Sequence, residues 1–172
     1  MLTAAGELER VAPVMVIRIV GDDGSFLVQL AKWTNNHFVA TSLLPGNKML
    51  RGETKEMAVE RILKTKLAFM CDHVLVSHME SSRAKATSNK TKVSTTYLRT
   101  VCYTTLHKSF AWAKCDVIAP HLMESLPPPV AEGRRKVYLV KADGDSIVLY
   151  TWLREHQFEW LTTPAGMDSI QA

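Results

Sequence analysis

The sequence is poor in the features that mark covalent, fibrous or membrane architectures. It has three cysteines, Cys71, Cys102 and Cys115. The number is odd, none forms a CxxC pair, and each sits in apolar sequence, so neither a disulfide framework nor a structural zinc site is expected. Buried, reduced thiols in an intracellular reducing compartment are the expectation. With 8 Gly and 7 Pro in 172 residues, collagen-like and low-complexity chains are excluded. No apolar run approaches the ~20 residues that span a bilayer, so no membrane insertion is expected. Met1 to Arg10 carries two Glu and no apolar stretch, and no secretory signal is read there. The six His show neither HxxxH nor HExxH spacing, and no GxSxG is present, which argues against a zinc protease and a serine hydrolase. A net charge of +4 is too mild by itself to mark a nucleic-acid binder.

What remains is ordinary globular material. Apolar types make up 47% and charged types 22%, and the length suits one domain, residues 1–172, with residues 1–12 expected as a flexible N-terminal arm. Val14 to Val20 is apolar on both parities, as in a strand covered on both faces. Gly21-Asp22-Asp23-Gly24 then turns the chain into Phe26 to Trp33, a hairpin. Phe38 to Leu44 is extended, and Pro45-Gly46-Asn47 is read as a turn. Thr54 is placed to cap a helix from about Lys55 to Leu67, with Val59, Ile62, Leu63 and Leu67 as its apolar stripe. Val74 to Met79 reads as a strand, Glu80 to Lys92 as an exposed basic loop, and Lys92 to Leu106 as a long strand. Ala111 to Ile118 is a further strand candidate, and Pro120 to Lys136 a stiff connector around three prolines. Val137 to Val140 and Ile147 to Trp152 form a second hairpin. Arg154 to Leu161 is a closing helix, stopped by Pro164 and Gly166.

The stretch that carries chemistry is Leu44-Pro45-Gly46-Asn47-Lys48, followed by Gly52-Glu53 and, eight residues after that Glu, by Arg61. It resembles a Nudix box, with Asn47 in place of the second Gly, Leu63 on the aliphatic position and Phe69 on the last hydrophobic one. The resemblance covers about 26 residues. It implies an α+β fold of the Nudix-like α/β/α sandwich type, a mixed sheet between helices. It also implies that Gly46, Lys48, Gly52, Glu53 and Arg61 are a structural remnant in which Glu53 and Arg61 pair and hold the loop on the helix.

The departures fall on the chemistry. Three Glu positions hold divalent metal in the family, at i, i+3 and i+4 on one helix face. Here they are Ile62, Thr65 and Lys66, and Ala68 replaces the following Gly. Hard cations such as Mg²⁺ need carboxylate oxygens. Ile62 offers no donor, Thr65 a weak neutral one, and Lys66 a positive charge. Glu53, Glu56 and Glu60 share a different face, and Glu80 and Glu124 are the only candidates for a base outside the box.

No catalytic residue, no metal ligand and no cofactor are therefore assigned; Mg²⁺ enters only if the chain is an atypical, weak Nudix hydrolase. The resemblance implies a catalytically inactive domain that binds a nucleotide-diphosphate-type ligand or other protein subunits, with RNA a further partner and a purely structural subunit the third reading. Lys48, Ile62, Thr65 and Lys66 are the candidate ligand contacts, Lys66 being placed to attract a phosphate directly. Trp33, Trp112, Trp152 and Trp160 are read as packing residues, any of which could stack on a base.

Overall fold

The structure is a computed structural model that describes residues 10–34, 37–87, 94–110, 116–117, 137–142 and 146–171. Among these, nine strands form one sheet: β1 (Arg10–Val20), β2 (Phe26–Thr34), β3 (His37–Leu43), β4 (Gly46–Lys48), β5 (Val74–Thr87), β6 (Ser94–Leu106), β7 (Asp116–Val117), β8 (Tyr138–Ala142) and β9 (Ser146–Leu153). The helices are α1 (Lys55–Lys66), α2 (Glu155–Leu161) and α3 (Pro164–Gln171). The main strand order is β5-β6-β1-β2-β9-β8-β7, with β3 beside β2 and β4 beside β1. β1 runs parallel to β6 along its whole length, from Arg10↔Thr95 to Val20↔Thr105, and the other pairings are antiparallel. The sheet is therefore mixed and the fold α+β, as expected.

The double parity of β1 has the expected cause. Met15, Ile17 and Ile19 pack with Ala58, Val59, Ile62 and Leu63 of α1 on one face. Val14, Val16 and Val20 belong to a second core with Phe26, Leu30, Leu153, Leu161 and Ile170, beneath α2 and α3. Each Ile, Leu or Phe so buried contributes about 1.5–3 kcal/mol. These two cores make the three layers.

Five local readings change. The segment read as a basic loop continues β5 to Thr87, paired with β6 through Arg83↔Leu98 and Lys85↔Thr96. Its polar composition reflects an edge strand wet on both faces rather than a break in the sheet. Pro164 does not end the chain's helices; it occupies the first position of α3, where a missing N–H costs nothing. Gly46-Asn47 is not a free turn, because it pairs with Val16 and Met15. β1 begins at Arg10, so Arg10 to Ala12 are strand and not arm. Cys102 is buried as expected, but Cys71 is only half-buried. Asp116–Val117 supplies a strand within the Ala111 to Ile118 candidate. The connector Pro120 to Lys136, Cys115, Trp112, His121 and Glu124 lie outside the described residues.

Among the described residues, no helix is long and apolar enough to cross a membrane.

Candidate functional site

The loop from Leu44 to Thr54 leaves β3, pairs briefly with β1 as β4 and enters α1. Gly46 is required by proximity: a Cβ there would lie 2.6 Å from the Met15 carbonyl oxygen and 2.6 Å from Val16 Cγ1. Gly52 has φ +77°, a left-handed conformation that glycine adopts without strain. Thr54 then caps the helix, its Oγ1 accepting from the Met57 N–H at 3.3 Å.

Glu53 and Arg61 meet as the resemblance implied. Arg61 Nε donates to Glu53 Oε1 at 2.7 Å and Nη2 to Oε2 at 2.9 Å, a bidentate pair. The Glu53 side chain is only 6% exposed. Glu53 Oε2 also accepts from the Leu50 N–H at 2.8 Å, and Arg61 Nη2 donates to the Lys48 carbonyl at 3.1 Å. One ion pair therefore ties both limbs of the loop to the helix. The Arg61 hydrogen bond and then the Leu50 N–H hold the Glu53 carboxyl down to about 2.

The three departing positions are each engaged within the chain. Ile62 is fully buried in the core under α1, so the reading that made it a ligand contact is corrected: its apolar side chain belongs to the helix stripe. Thr65 Oγ1 donates to the Arg61 carbonyl of its own helix at 2.8 Å, the local bond that hydroxyls make in helices. Lys66 does not stand free; Nζ donates to the Gly46 carbonyl at 2.6 Å. Burial first, then the charges of Lys32 and Arg61, push the Lys66 ammonium below its usual range. Tyr150 Oη, whose ionisation is pushed up by burial, makes a long 3.5 Å bond to the Lys66 carbonyl. The Lys48 side chain is exposed.

Lys32, on β2, was not expected at this place. Its charge reaches Lys66 only because the sheet brings β2 beneath the end of α1, and no motif or spacing announces it.

This donor set does not suit a divalent metal. It offers a carboxylate already held by Arg61, a hydroxyl used by the helix, and an ammonium. Among the described residues no group of three or more His, Cys, Asp or Glu could hold a metal ion. Glu60 pairs with Lys64 at 2.6 Å on the exposed face of α1. Glu80 lies in register with Val101 and Val16, on the sheet face opposite α1, so it cannot serve the box as a base. What the arrangement can do is rigidify a cationic loop–helix corner formed by Lys32, Lys48, Arg61 and Lys66.

No family model matches the chain, and no curated protein matches it. Solved structures similar to it include a Nudix hydrolase from Nitrosomonas europaea, at 16% identity and TM-score 0.49, covering 94% of this chain and 87% of that one. Another is the Nudix-family DNA mismatch repair protein MutT from methicillin-resistant Staphylococcus aureus 252, at 14% identity and TM-score 0.45, covering 95% of each chain. The Nudix hydrolase RenU from M. smegmatis is similar at 15% identity and TM-score 0.43, covering 94% of this chain and 81% of that one.

Proposed function

We propose that this chain is a Nudix-like scaffold that has kept the Glu53–Arg61 lock and exchanged the metal-binding helix face for internal packing. In this reading it is a binding module for a phosphorylated, nucleotide-diphosphate-type ligand, not a metal-dependent hydrolase. The observation that supports it most is the fate of the three metal positions: Ile62 in the core, Thr65 on its own helix and Lys66 on the Gly46 carbonyl. An ammonium has three N–H donors, and one is used by Gly46. The others, with the exposed Lys48, suit a phosphate oxygen directly. Such binding needs no divalent cation and weakens as salt rises.

The test is titration of ADP and ADP-ribose into the protein with EDTA and, separately, with Mg²⁺, followed by product analysis. The reading expects salt-sensitive binding that is unchanged by EDTA, lost in Lys66→Glu, and without turnover. Mg²⁺-dependent, chelator-sensitive hydrolysis would replace it by the weak-hydrolase reading. Binding of neither nucleotide would leave the domain as a structural or protein-interaction module.

A further inference from the structure

The charge of this chain is unevenly distributed. The 35 residues from Ser81 to Cys115 hold seven Lys and Arg and no Asp or Glu, while the rest of the chain holds 14 Lys and Arg against 17 Asp and Glu. A net charge of +4 therefore conceals a block of +7 beside a remainder of −3. The described part of that block is the outer half of β5, all of β6 and the four residues that follow it, at one edge of the sheet. β1, which extends this arm inward, also carries no acid.

These cations differ from those of the box. Arg10, Arg83 and Arg99 are exposed, and none has an ion-pair partner among the described residues. Glu80, the sole acid on β5 and β6, accepts from Tyr103 Oη at 3.1 Å and lies 3.6 Å from His78 Nε2.

The arm also presents aromatic rings in register with its arginines. The rows Ala84–Tyr97–Ala12 and Ser82–Arg99–Val14 follow one another on the face opposite α1. Tyr97 is half-buried and Arg99 exposed. Further along β6 on the same face, the His78 and Tyr103 rings stack at 4.5 Å and 6°. Tyr97 and Tyr103 are six residues apart, about 20 Å along the strand.

We propose that this face of β5 and β6, with the neighbouring end of β1, binds single-stranded nucleic acid, with Arg99 and Arg10 on phosphates and Tyr97 stacking on a base. A flat sheet face with aromatic and arginine side chains at alternate positions suits unpaired bases, whose planes are free to stack. An anionic membrane would use the charge but not the rings. A duplex hides its bases and would also use the charge alone.

The probe is a fluorescent single-stranded oligonucleotide of about 15 residues, followed by anisotropy across a salt series. Heparin, a duplex of equal length and phosphatidylserine vesicles are the comparators. Binding is expected to be tighter to the single strand than to any comparator. Arg99→Ala should reduce the salt slope by about 0.7, one phosphate on a single strand. Tyr97→Ala should weaken binding about tenfold and leave the slope unchanged. Arg10→Glu, at an exposed strand end on the same face as Tyr97 and Arg99, should weaken binding and flatten the slope. Lys64→Ala, an exposed charge on α1, is the control with unchanged affinity. The proposal is overturned if the oligonucleotide does not bind, if heparin, duplex or vesicles bind as tightly, or if folded Tyr97→Ala binds like wild type.

Discussion

On the loop–helix corner Arg61 holds Glu53 and the Lys48 carbonyl, and Lys66 holds the Gly46 carbonyl. On the β5–β6 arm Arg83 and Arg99 have no such ion pair among the described residues. The residue types are the same, yet in one region they work as internal braces and in the other they face outward. The difference comes from burial. A half-buried cation needs an oxygen beside it, because losing water without a replacement costs several kcal/mol. An exposed arginine on an edge strand is already solvated, so its charge remains available to a partner.

That comparison is tested hardest at Ile62. Ile62→Glu would place a carboxylate where the resemblance puts a metal ligand, but at a place with 0% exposure. It should cost about 4 kcal/mol or more, from lost packing together with an unpaired buried carboxylate. Denaturant unfolding measures it. A melting temperature equal to wild type, with gained Mg²⁺ binding, would show that the helix face is open after all.

A smaller but still clear loss is expected for Glu53→Gln and for Arg61→Ala, with the double variant little worse than either single because each removes the same brace. The pH dependence has a defined sign. The folded Glu53 carboxyl lies at about 2 against 4.5 unfolded, so its stabilisation is complete above 4.5 and is lost as pH falls toward 2. Glu53→Gln should flatten acid unfolding in that window, as read by melting between pH 2 and 5.

Lys66 gives a weaker effect at the other end of the scale. Its ammonium is pushed below 10.5 when folded, so the unfolded chain binds more protons in the window beneath 10.5 and stability rises there with pH. Lys66→Met should remove that rise while shortening no helix. Parallel alkaline melts of the two proteins would show it as curves that diverge with pH.

The smallest change in stability belongs to the arm. Arg83→Glu and Arg99→Glu should each shift stability by no more than about 0.5 kcal/mol, since no internal bond is broken. A large loss in either would mean that these arginines brace the sheet, and the contrast between the two regions would disappear.

Much of this molecule is legible from local chemistry. The Gly21–Gly24 turn set a hairpin, the Thr54 cap started α1, and the double parity of β1 announced helices on both faces, because turn, cap and burial patterns act within a few residues. The Glu53–Arg61 spacing was readable for the same reason, being two turns of one helix and its entry loop. Other features depended on partners distant in sequence. The polar run Glu80 to Thr87 is a strand only because β6 supplies its backbone partners, and Pro164 begins a helix only because α3 packs back toward the sheet. Lys32 approaches Lys66 through sheet order, and the Gly46 carbonyl captures the Lys66 ammonium because β4 is held against β1. The sequence by itself determined which groups carry charge and which are apolar; the tertiary structure alone decided which charges are matched, since a pair forms only where packing brings its members within reach and removes the water that would otherwise satisfy them.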